Sequence, residues 1–471
     1  MVEVRDSLSR EGCTAQASVR AIGALAAALL TLCDPYGSAV SARPSSASRA
    51  VTTADVVPHE YIVVFGSGIS RIPASGGPYG SLDAVRIAVR QSRDAEGAAK
   101  AAGGTIVYRF RGALIGFIAH LPDPALERTK RMPGIWRIDR SQKYVVDGRE
   151  GRQPEPPPRP RASATTLSVA APLMASGGSP GAQLSLGLDR IDQRVGTDGK
   201  FNIDQTSYKV HVYVIDSGLS APSAQFGGRV RKGKSVVPNE PKLKDCSGHG
   251  THVAGIIGSK DYGVANQVRI HPVRVVACDG TVTTATMEQG VDWVYTRYLK
   301  RKKPFPSVAN MSLEADLAPT LDQAIANSIG VGITYVVAAG NSGSDACAVS
   351  PAQAPGAITV GSVDPLDDTI ASSSNVGSCV DIFAPGVGIL SVGIGGTNET
   401  QDSGTSMAAP HVTGVAALYL QTHTGAKPPA VWAAILAEAD VVPNSYGWNG
   451  IQGLDSTTPN RVLYWGPKTG P

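Results

Sequence analysis

The chain has 471 residues, a formal net charge of +4 and 17% charged residues, and glycine occurs 53 times. This length leaves room for two or three domains at about 100–200 residues each. The weak and scattered charge argues against a nucleic-acid partner. No stretch approaches the roughly 20 apolar residues of a membrane-spanning helix, so no stable membrane anchor is expected. A small, apolar, glycine-rich composition favours a tightly packed α/β core with many turns.

Residues 1–42 have the pattern of a signal peptide. An arginine precedes residues 21–33, which carry no charge, as in a cationic flank followed by an apolar segment. Small residues predict cleavage after Ala42, with Ala39 as the alternative. Cys33 raises the alternative of lipid attachment, but the residue before it is leucine, where that processing favours a small side chain. Secretion into the extracellular space is therefore expected.

Residues 55–147 predict a small ferredoxin-like α+β domain. In chain order they read as strand, helix, two paired strands, helix and strand, which is the pattern of that fold. The predicted elements span residues 60–65, 82–102, 105–110, 113–121, 124–131 and 134–139. Residues 148–183 follow as a linker rich in proline, glycine and serine, a composition that favours extended or flexible chain.

Residues 184–466 alternate apolar strands with helices, which predicts a doubly wound parallel sheet with helices on both faces. Three polar residues stand where such elements end or begin. Asp216 closes the apolar strand "VHVYVID", and Asn341 follows the strand "YVVAAG". His249 lies between two glycines at the start of an apolar helix. In open α/β sheets, catalytic groups gather at the carboxyl ends of the strands.

The stretch "SGTSMAAPHVTGVAALYL" predicts a helix that is buried nearly all round, with Ser406 at its positive end. Pro410 is expected in the first turn, where a missing N–H costs nothing. Ser406 is then either an N-cap or a group beside which a negative charge must form. A serine hydroxyl becomes a nucleophile when one group accepts its proton and another orients that base. Asp216, His249 and Ser406 offer these groups in the order that belongs to the subtilisin arrangement.

Over nearly their full length, residues 184–466 resemble the subtilisin-like serine proteases, most of all the proteinase K and aqualysin branch. The motifs "VYVIDSGL", "GHGTHVAG", "NMSL", "VAAGNSG", "FAPG" and "SGTSMAAPHVTGVAAL" occur in the family's order. The resemblance implies a subtilisin-like fold and a monomeric, secreted serine endopeptidase that hydrolyses polypeptides. It also implies that residues 55–147 are the family's propeptide, an intramolecular inhibitor and folding aid that the enzyme removes itself.

The resemblance further assigns roles to individual residues. Ser406 would attack the peptide carbonyl, His249 would take and return its proton, and Asp216 would orient the imidazole. The Asn341 side chain and the backbone N–H of Ser406 would bind the oxyanion. Substrate would lie as a strand against further cleft residues, which are Gly280, Thr281, Val282, Ser312, Leu313, Glu314, Ala338, Ala339 and Gly340.

Two of these cleft positions depart from the family pattern. Relatives read "SLGG" where this chain reads "SLEA", and Gly-Ser-Gly where it reads Gly-Thr-Val, so Glu314 and Val282 replace glycines. Val282 is expected to narrow the cleft, and Glu314 to add a negative charge beside it. The alternative is that both side chains turn outward and change nothing.

The resemblance also implies two disulfide bonds and a bound calcium ion. The implied disulfide partners are Cys246 with Cys278 and Cys347 with Cys379. Disulfides suit a secreted chain. The calcium would be held by two main-chain carbonyls and one carboxylate, those of Pro355, Ala357 and Asp381. Oxygen ligands are the ones that a hard cation prefers.

Two functions stay open at this point. The first is an active endopeptidase made as a zymogen, with one maturation cut near Val146 and a second near residues 179–185. The second is a catalytically inactive binding or scaffold protein on the same fold. The presence of all four active-site residues favours the endopeptidase.

Overall fold

The computed structural model describes residues 56–66, 82–146, 184–203, 209–220, 223–240, 242–301, 304–394, 399–441 and 450–466. All of them belong to one compact unit, Ser48–Pro471. The predicted signal peptide and linker lie outside the described residues. In the part of the chain that is described, no helix combines the length and the apolar character needed to cross a membrane.

The N-terminal part of the unit is an antiparallel sheet with two helices. Its elements are β1 Val56–Phe65, α1 Leu82–Ala101, β2 Thr105–Arg109, β3 Gly116–His120, α2 Asp123–Lys130 and β4 Ile135–Val145. The strands lie in the order β2-β3-β1-β4, and each pair of neighbours runs antiparallel. This is the ferredoxin-like arrangement that the sequence predicts.

Strand β1 is buried on both faces because its side chains alternate between two apolar clusters. Tyr61, Val63 and Phe65 pack against α1 and α2. Ile62 and Val64 pack in the opposite direction, into a cluster formed mainly by residues C-terminal to the predicted linker. The N-terminal sheet is therefore sandwiched between its own helices and the larger domain.

The remaining helices and strands form the larger domain. They are α3 Leu186–Ile191, β5 His211–Asp216, α4 Ser223–Phe226, β6 Lys234–Ser235, α5 His249–Gly258, β7 Arg269–Arg274, β8 Thr281–Thr283, α6 Thr284–Leu299, β9 Ser307–Met311, β10 Ala315–Asp316, α7 Pro319–Gly330, β11 Thr334–Ala338, β12 Val349–Ser350, β13 Ile358–Val363, β14 Ile382–Pro385, β15 Ile389–Val392, β16 Glu399–Asp402, α8 Thr405–Thr422, α9 Pro428–Glu438, β17 Asp440–Val441 and β18 Arg461–Val462.

A nine-stranded sheet runs through this domain in the order β17-β18-β14-β13-β11-β9-β5-β7-β6. Its neighbouring strands are parallel, except that β17 and β18 run antiparallel. The central strand β5 shows why both faces are covered. Val212 and Val214 face one apolar cluster with α5 and α8, whereas Tyr213 and Ile215 face another with α6 and α7. The predicted doubly wound sheet with helices on both faces is confirmed.

Candidate active site

Asp216 and His249 meet at the carboxyl edge of the nine-stranded sheet. Asp216 ends β5, and His249 begins α5. The two side chains are 0% and 2% exposed, and Nδ1 of His249 lies 2.8 Å from Oδ1 of Asp216. An ionised carboxylate only accepts hydrogen bonds, so Nδ1 carries the ring proton. In the neutral imidazole, Nε2 is therefore the basic nitrogen.

Ser406 lies in the first turn of α8, whose N-cap is Gly404. The N-cap interpretation of Ser406 is therefore wrong. Pro410 lies in the second turn of α8 rather than the first, which corrects the expectation for it. A proline there cannot donate the helical hydrogen bond to the Ser406 carbonyl. The hydroxyl of Ser312 donates to that carbonyl instead, over 2.9 Å.

Helices α5 and α8 carry His249 and Ser406 in their first turns and share one apolar cluster. Ser406 also lies close to the end of β9, since its Oγ is 3.5 Å from the carbonyl oxygen of Ser312, the residue that follows this strand. The second histidine of the same motif, His252, is buried inside the protein. Its Nε2 lies 3.0 Å from the carbonyl oxygens of Ile389 and Thr400, so it holds β15 and β16 against α5.

The Asn341 side chain is held in one orientation beside the start of α8. Its Oδ1 accepts hydrogen bonds from the backbone N–H of Thr405, over 2.8 Å, and from the Thr405 hydroxyl, over 2.9 Å. A backbone N–H can only donate, so the oxygen of the amide faces Thr405 and Nδ2 is the donor at its other corner. A Cβ at Gly404 would lie 3.3 Å from both amide atoms. The absence of a side chain at Gly404 therefore leaves room for the Asn341 amide.

Asp245 joins the two segments that carry Asp216 and His249, and it is not among the residues predicted from the sequence. The residue is 1% exposed. Burial raises the pKa of the Asp245 carboxyl, but hydrogen bonds, led by the Thr251 hydroxyl, outweigh burial and lower the pKa overall. The hydrogen-bond donors are the hydroxyls of Ser217, Ser247 and Thr251 and the backbone N–H groups of Ser247, Gly248 and Thr251. The only local signal for it is an acidic residue just before the "GHGTH" motif.

The predicted cleft residues of β8 contact the end of the N-terminal domain. Strand β4 pairs antiparallel with β8, with Tyr144 opposite Val282. The N–H of Val146 then donates to the carbonyl of Gly280 over 2.8 Å. Gly280 has φ of 82°, and a Cβ on it would lie 2.9 Å from the Val146 carbonyl oxygen. This close approach of two backbones requires glycine.

The other predicted cleft residues lie on two segments at the carboxyl edge of the sheet. Ser312 and Leu313 lead from β9 to Glu314, and Ala338, Ala339 and Gly340 lead from β11 to Asn341. The Glu314 carboxylate joins these segments, because it accepts the N–H of Asn341 over 2.9 Å and the Ser342 hydroxyl over 3.1 Å. Val282 is 1% exposed and shares a cluster with Leu313.

Both implied disulfide bonds are present. They join Cys246 to Cys278 and Cys347 to Cys379. The first bond ties the segment before His249 to the segment before Gly280. It therefore links the chain around the histidine to one wall of the predicted cleft.

The three implied calcium ligands lie around the start of β13 and β14. Oδ2 of Asp381 accepts the N–H of Thr359 over 2.9 Å. Because Thr359 is two residues after Ala357, this hydrogen bond holds the Asp381 carboxyl close to the Ala357 segment. Burial raises the pKa of Asp381 to about 6, against the opposing effects of the Thr359 N–H and of Arg461. A half-buried carboxyl of this kind gains from a cation that keeps it ionised. The all-oxygen donor set of Pro355, Ala357 and Asp381 fits calcium.

Comparison with known proteins supports the fold described above. Residues 198–454 match the family described as the subtilase family. An extracellular serine proteinase of Thermus sp. (strain Rt41A) is 35% identical over 445 residues, which are 91% of this chain and 96% of that protein. Alkaline serine exoprotease A of Vibrio alginolyticus is 46% identical over 254 residues, 54% of this chain and 46% of that protein. A solved cold adapted subtilisin-like serine proteinase has 44% identity and a TM-score of 0.53, covering 60% of this chain and 98% of its own.

A parallel sheet of this topology, with an Asp–His pair and the start of a buried helix at its carboxyl edge, defines the class of subtilisin-like enzymes. The similarity to a full-length extracellular proteinase extends over most of the chain. The chain belongs to the subtilase family and is a serine endopeptidase.

Proposed function

We propose that this protein is a secreted endopeptidase, made as a self-processing zymogen, in which Ser406, His249 and Asp216 form the catalytic triad. The observation that carries the proposal is the buried 2.8 Å hydrogen bond between Asp216 and Nδ1 of His249. It makes Nε2 the base that takes the Ser406 proton during attack on the peptide carbonyl. The same nitrogen then returns the proton to the leaving amine, and water hydrolyses the acyl-enzyme by the reverse steps. The Asp216 carboxylate would stabilise the imidazolium.

The oxyanion of the tetrahedral intermediate would be bound by the backbone N–H of Ser406 and by Nδ2 of Asn341. Thr405 supports this role, because its two hydrogen bonds fix the Asn341 amide before substrate arrives. A donor that is already oriented costs no reorganisation in the transition state. Loss of one such donor typically lowers turnover by about 10²–10³.

The N-terminal domain acts as the propeptide that blocks the substrate cleft. Its last described residues add a strand to β8, and an extended substrate would use the same edge. A second contact supports tight docking. The Asp292 carboxylate accepts the N–H groups of Arg111, Gly112 and Ala113, each over 2.8 Å, and the Tyr108 hydroxyl over 2.7 Å. Maturation would need a cut near Val146, and a second near residues 179–185.

A structural calcium ion bound by Pro355, Ala357 and Asp381 completes the proposal. It would supply positive charge to a buried carboxyl and join β13 to β14. It takes no part in the chemical step.

Replacement of Ser406 by alanine tests the proposal. In a host without secreted proteases, we expect Ser406→Ala to be exported uncut and inactive, because both proteolysis and maturation need the same hydroxyl. The exposed serine in Ser378→Ala serves as the control and should mature normally. Export of Ser406→Ala as the trimmed form would contradict self-processing. Full peptidase activity of Ser406→Ala would contradict the triad.

A further inference from the structure

A group of arginines lies at the amino edge of the nine-stranded sheet. Strands β5 and β7 run parallel and begin here with His211 and Arg269. The active site is at the other end of β5, five residues away, or roughly 16 Å along the strand. Four arginines act electrostatically on His211 and His271 at this edge. They are Arg231, Arg269, Arg297 and Arg301, and we call them the arginine surface. Two are exposed and two are half-buried.

In the described ranges, none of the four guanidinium groups of the arginine surface forms an ion pair with a carboxylate. Arg269 and Arg301 surround the ring of Phe305 instead, with their Cζ atoms 5.9 and 4.4 Å from its centroid. The Arg231 guanidinium donates one N–H to the Gly228 carbonyl oxygen over 2.8 Å. A guanidinium group is a planar fork of N–H donors that matches tetrahedral oxyanions.

Two hydrogen-bonded imidazoles lie beneath these arginines. Nδ1 of His271 lies 2.8 Å from the Lys232 carbonyl oxygen, so this nitrogen donates and Nε2 of His271 is left as an acceptor. Nδ1 of His211 lies 2.7 Å from that Nε2 and therefore donates to it. Nε2 of His211 is buried, and no described residue bonds to it. Burial, then His271, then Arg269 and its neighbours hold the pKa of His211 at about 3.

The imidazole pair is thus neutral at physiological pH. Burial is the main cause of the low pKa values of His211 and His271, and the four arginines add to it. All four guanidinium groups act on the same imidazole pair, so they repel one another, and an external anion would relieve that repulsion. The arginine surface therefore has the positive charge and the N–H donors of an anion-binding surface.

We infer that the arginine surface binds an anionic polysaccharide that carries sulfate or phosphate ester groups. A polymer presents several such groups and matches several arginines at once. Nucleic acid is disfavoured, because single strands are bound largely by base stacking on aromatic rings. The Phe305 ring already stacks on His211, with centroids 4.4 Å apart and planes 7° apart. Bound polymer would hold the enzyme on a matrix while leaving the distant cleft open.

Immobilised heparin is the probe for this proposal. The full chain carrying Ser406→Ala is used throughout, so that self-digestion cannot affect binding. The test variant combines Arg269→Gln with Arg301→Gln. The control combines Lys242→Gln with Lys244→Gln, which removes the same charge from exposed side chains near the carboxyl end of β7.

We expect the arginine double variant to elute at clearly lower salt than the lysine double variant. The slope of log affinity against log salt should fall by about two, one for each lost contact. Equal shifts in the two double variants would overturn the proposal, because only net charge would then matter. Tighter binding of duplex DNA than of heparin at equal charge would overturn the polysaccharide as partner.

A second variant guards against misfolding of the first. Arg269→Lys combined with Arg301→Lys keeps both charges but loses the planar fork of donors. We expect an intermediate elution position for it. Elution as late as the unmodified chain would contradict the role given to the guanidinium groups, and thermal unfolding of all variants identifies any that fail to fold.

Discussion

A missing N–H shapes the surroundings of Ser406. Because Pro410 cannot donate to the Ser406 carbonyl, the Ser312 hydroxyl fills that place and ties the start of α8 to the cleft. Thr405 orients Asn341 in a similar way, and Asp245 holds the chain around His249. Each of these buried polar groups has its partner, as stable proteins require. The side chains proposed for catalysis are therefore held by their neighbours before substrate arrives.

The two unusual cleft residues should affect cleavage preference. Glu314 places a carboxylate against the Asn341 segment, and Val282 fills the β8 edge. We expect the wild type to favour small residues near the cut and a basic residue a few positions upstream. An exposed charge pair contributes about 0.2–1 kcal/mol, so the preference should be a few-fold and should fade in salt. Peptide-library profiles of the wild type, Glu314→Gly and Val282→Gly measure it.

Glu314→Gln is the matched control, since the amide keeps the size of the side chain and an acceptor oxygen but loses the charge. Basic preference should disappear in Glu314→Gln as it does in Glu314→Gly. Identical profiles for the wild type and all the variants would mean that neither residue affects specificity.

The sequence identifies Asp216, His249, Asn341 and Ser406 as candidates because each stands at the end of an element within a recognisable motif. Asp245 was missed, since its donors come from separate loops and no local pattern reveals them. The expectation for Pro410 was wrong because the start of α8 is set by Gly404, which leaves the proline one turn further in.

One face of α6 contacts the N-terminal domain. Thr284, Glu288 and Asp292 follow one another at intervals of four residues, so they share a face of the helix. The first accepts the N–H of Gln142 over 3.1 Å, and Asp292 holds the segment at 111–113. Glu288 lies between them and is fully buried. Its Oε1 accepts the Thr320 hydroxyl over 2.6 Å, and its Oε2 has no hydrogen-bond partner among the described residues.

The pKa values on this face are raised, which makes docking pH-dependent. Burial raises the pKa of Glu288 well above its usual value, and the carboxylates of Asp139, Asp322 and Asp292 add to the shift. Burial also raises the pKa of Asp292, against the hydrogen bonds that it accepts. A free glutamic acid titrates near pH 4.3, and we expect release of the N-terminal domain to bring the pKa of Glu288 nearer to that value. The docked state would then bind more protons than the released state, so we expect docking to be strongest at acid pH and to weaken as the pH rises through the docked pKa.

We expect the lag before the secreted zymogen becomes active to shorten as the pH rises from 5 to 8. Affinity should fall by up to about tenfold per pH unit while Glu288 alone titrates. Glu288→Gln cannot ionise, so its lag should lose most of this pH dependence. A lag in Glu288→Gln that follows the wild-type pH profile would contradict this assignment.

Asp292→Asn should shorten the lag at every pH. The NH2 group of the asparagine side chain cannot accept a hydrogen bond, so it would face the backbone N–H donors that Asp292 now binds. Rates are normalised to fully activated enzyme at each pH.

Most element positions follow from the sequence, and the main error has a physical cause. The helix predicted at 82–102 is observed as Leu82–Ala101, and the strand predicted at 60–65 begins earlier, as Val56–Phe65. The last strand predicted at 134–139 instead continues to Val145. Its final residues pair with β8 of the other domain. Local patterns cannot reveal pairing between segments so far apart in the chain.

At the scale of the whole molecule, the N-terminal sheet has an apolar face that, among the described residues, is covered by the larger domain. Ile62, Val64 and Ile118 of this sheet belong to the same cluster as Met287 and Val291 of α6. A sheet with one uncovered apolar face is poorly stable alone. This mutual burial is consistent with the proposed role of the N-terminal domain as a propeptide.

The disulfide bonds and the proposed calcium should stabilise the mature enzyme separately. Each bond joins cysteines 32 residues apart, and a loop of that size stabilises by about 3–4 kcal/mol in the chain-entropy model. Ion removal acts through a different site, at Asp381. We expect reductant alone and chelator alone each to lower the Tm, and the two together to lower it further. An unchanged Tm in excess chelator would count against calcium at Asp381, and Asp381→Asn should abolish the chelator effect.

Activation of Ser406 as a nucleophile by His249 and Asp216 can be measured by labelling with a serine-directed fluorophosphonate, followed by mass spectrometry of the digested protein. We expect one modified site, Ser406, in the mature wild type, and severely reduced labelling in His249→Ala. A wild type in which Ser406 stays unmodified, or a His249→Ala variant labelled as fast as the wild type, would contradict that activation.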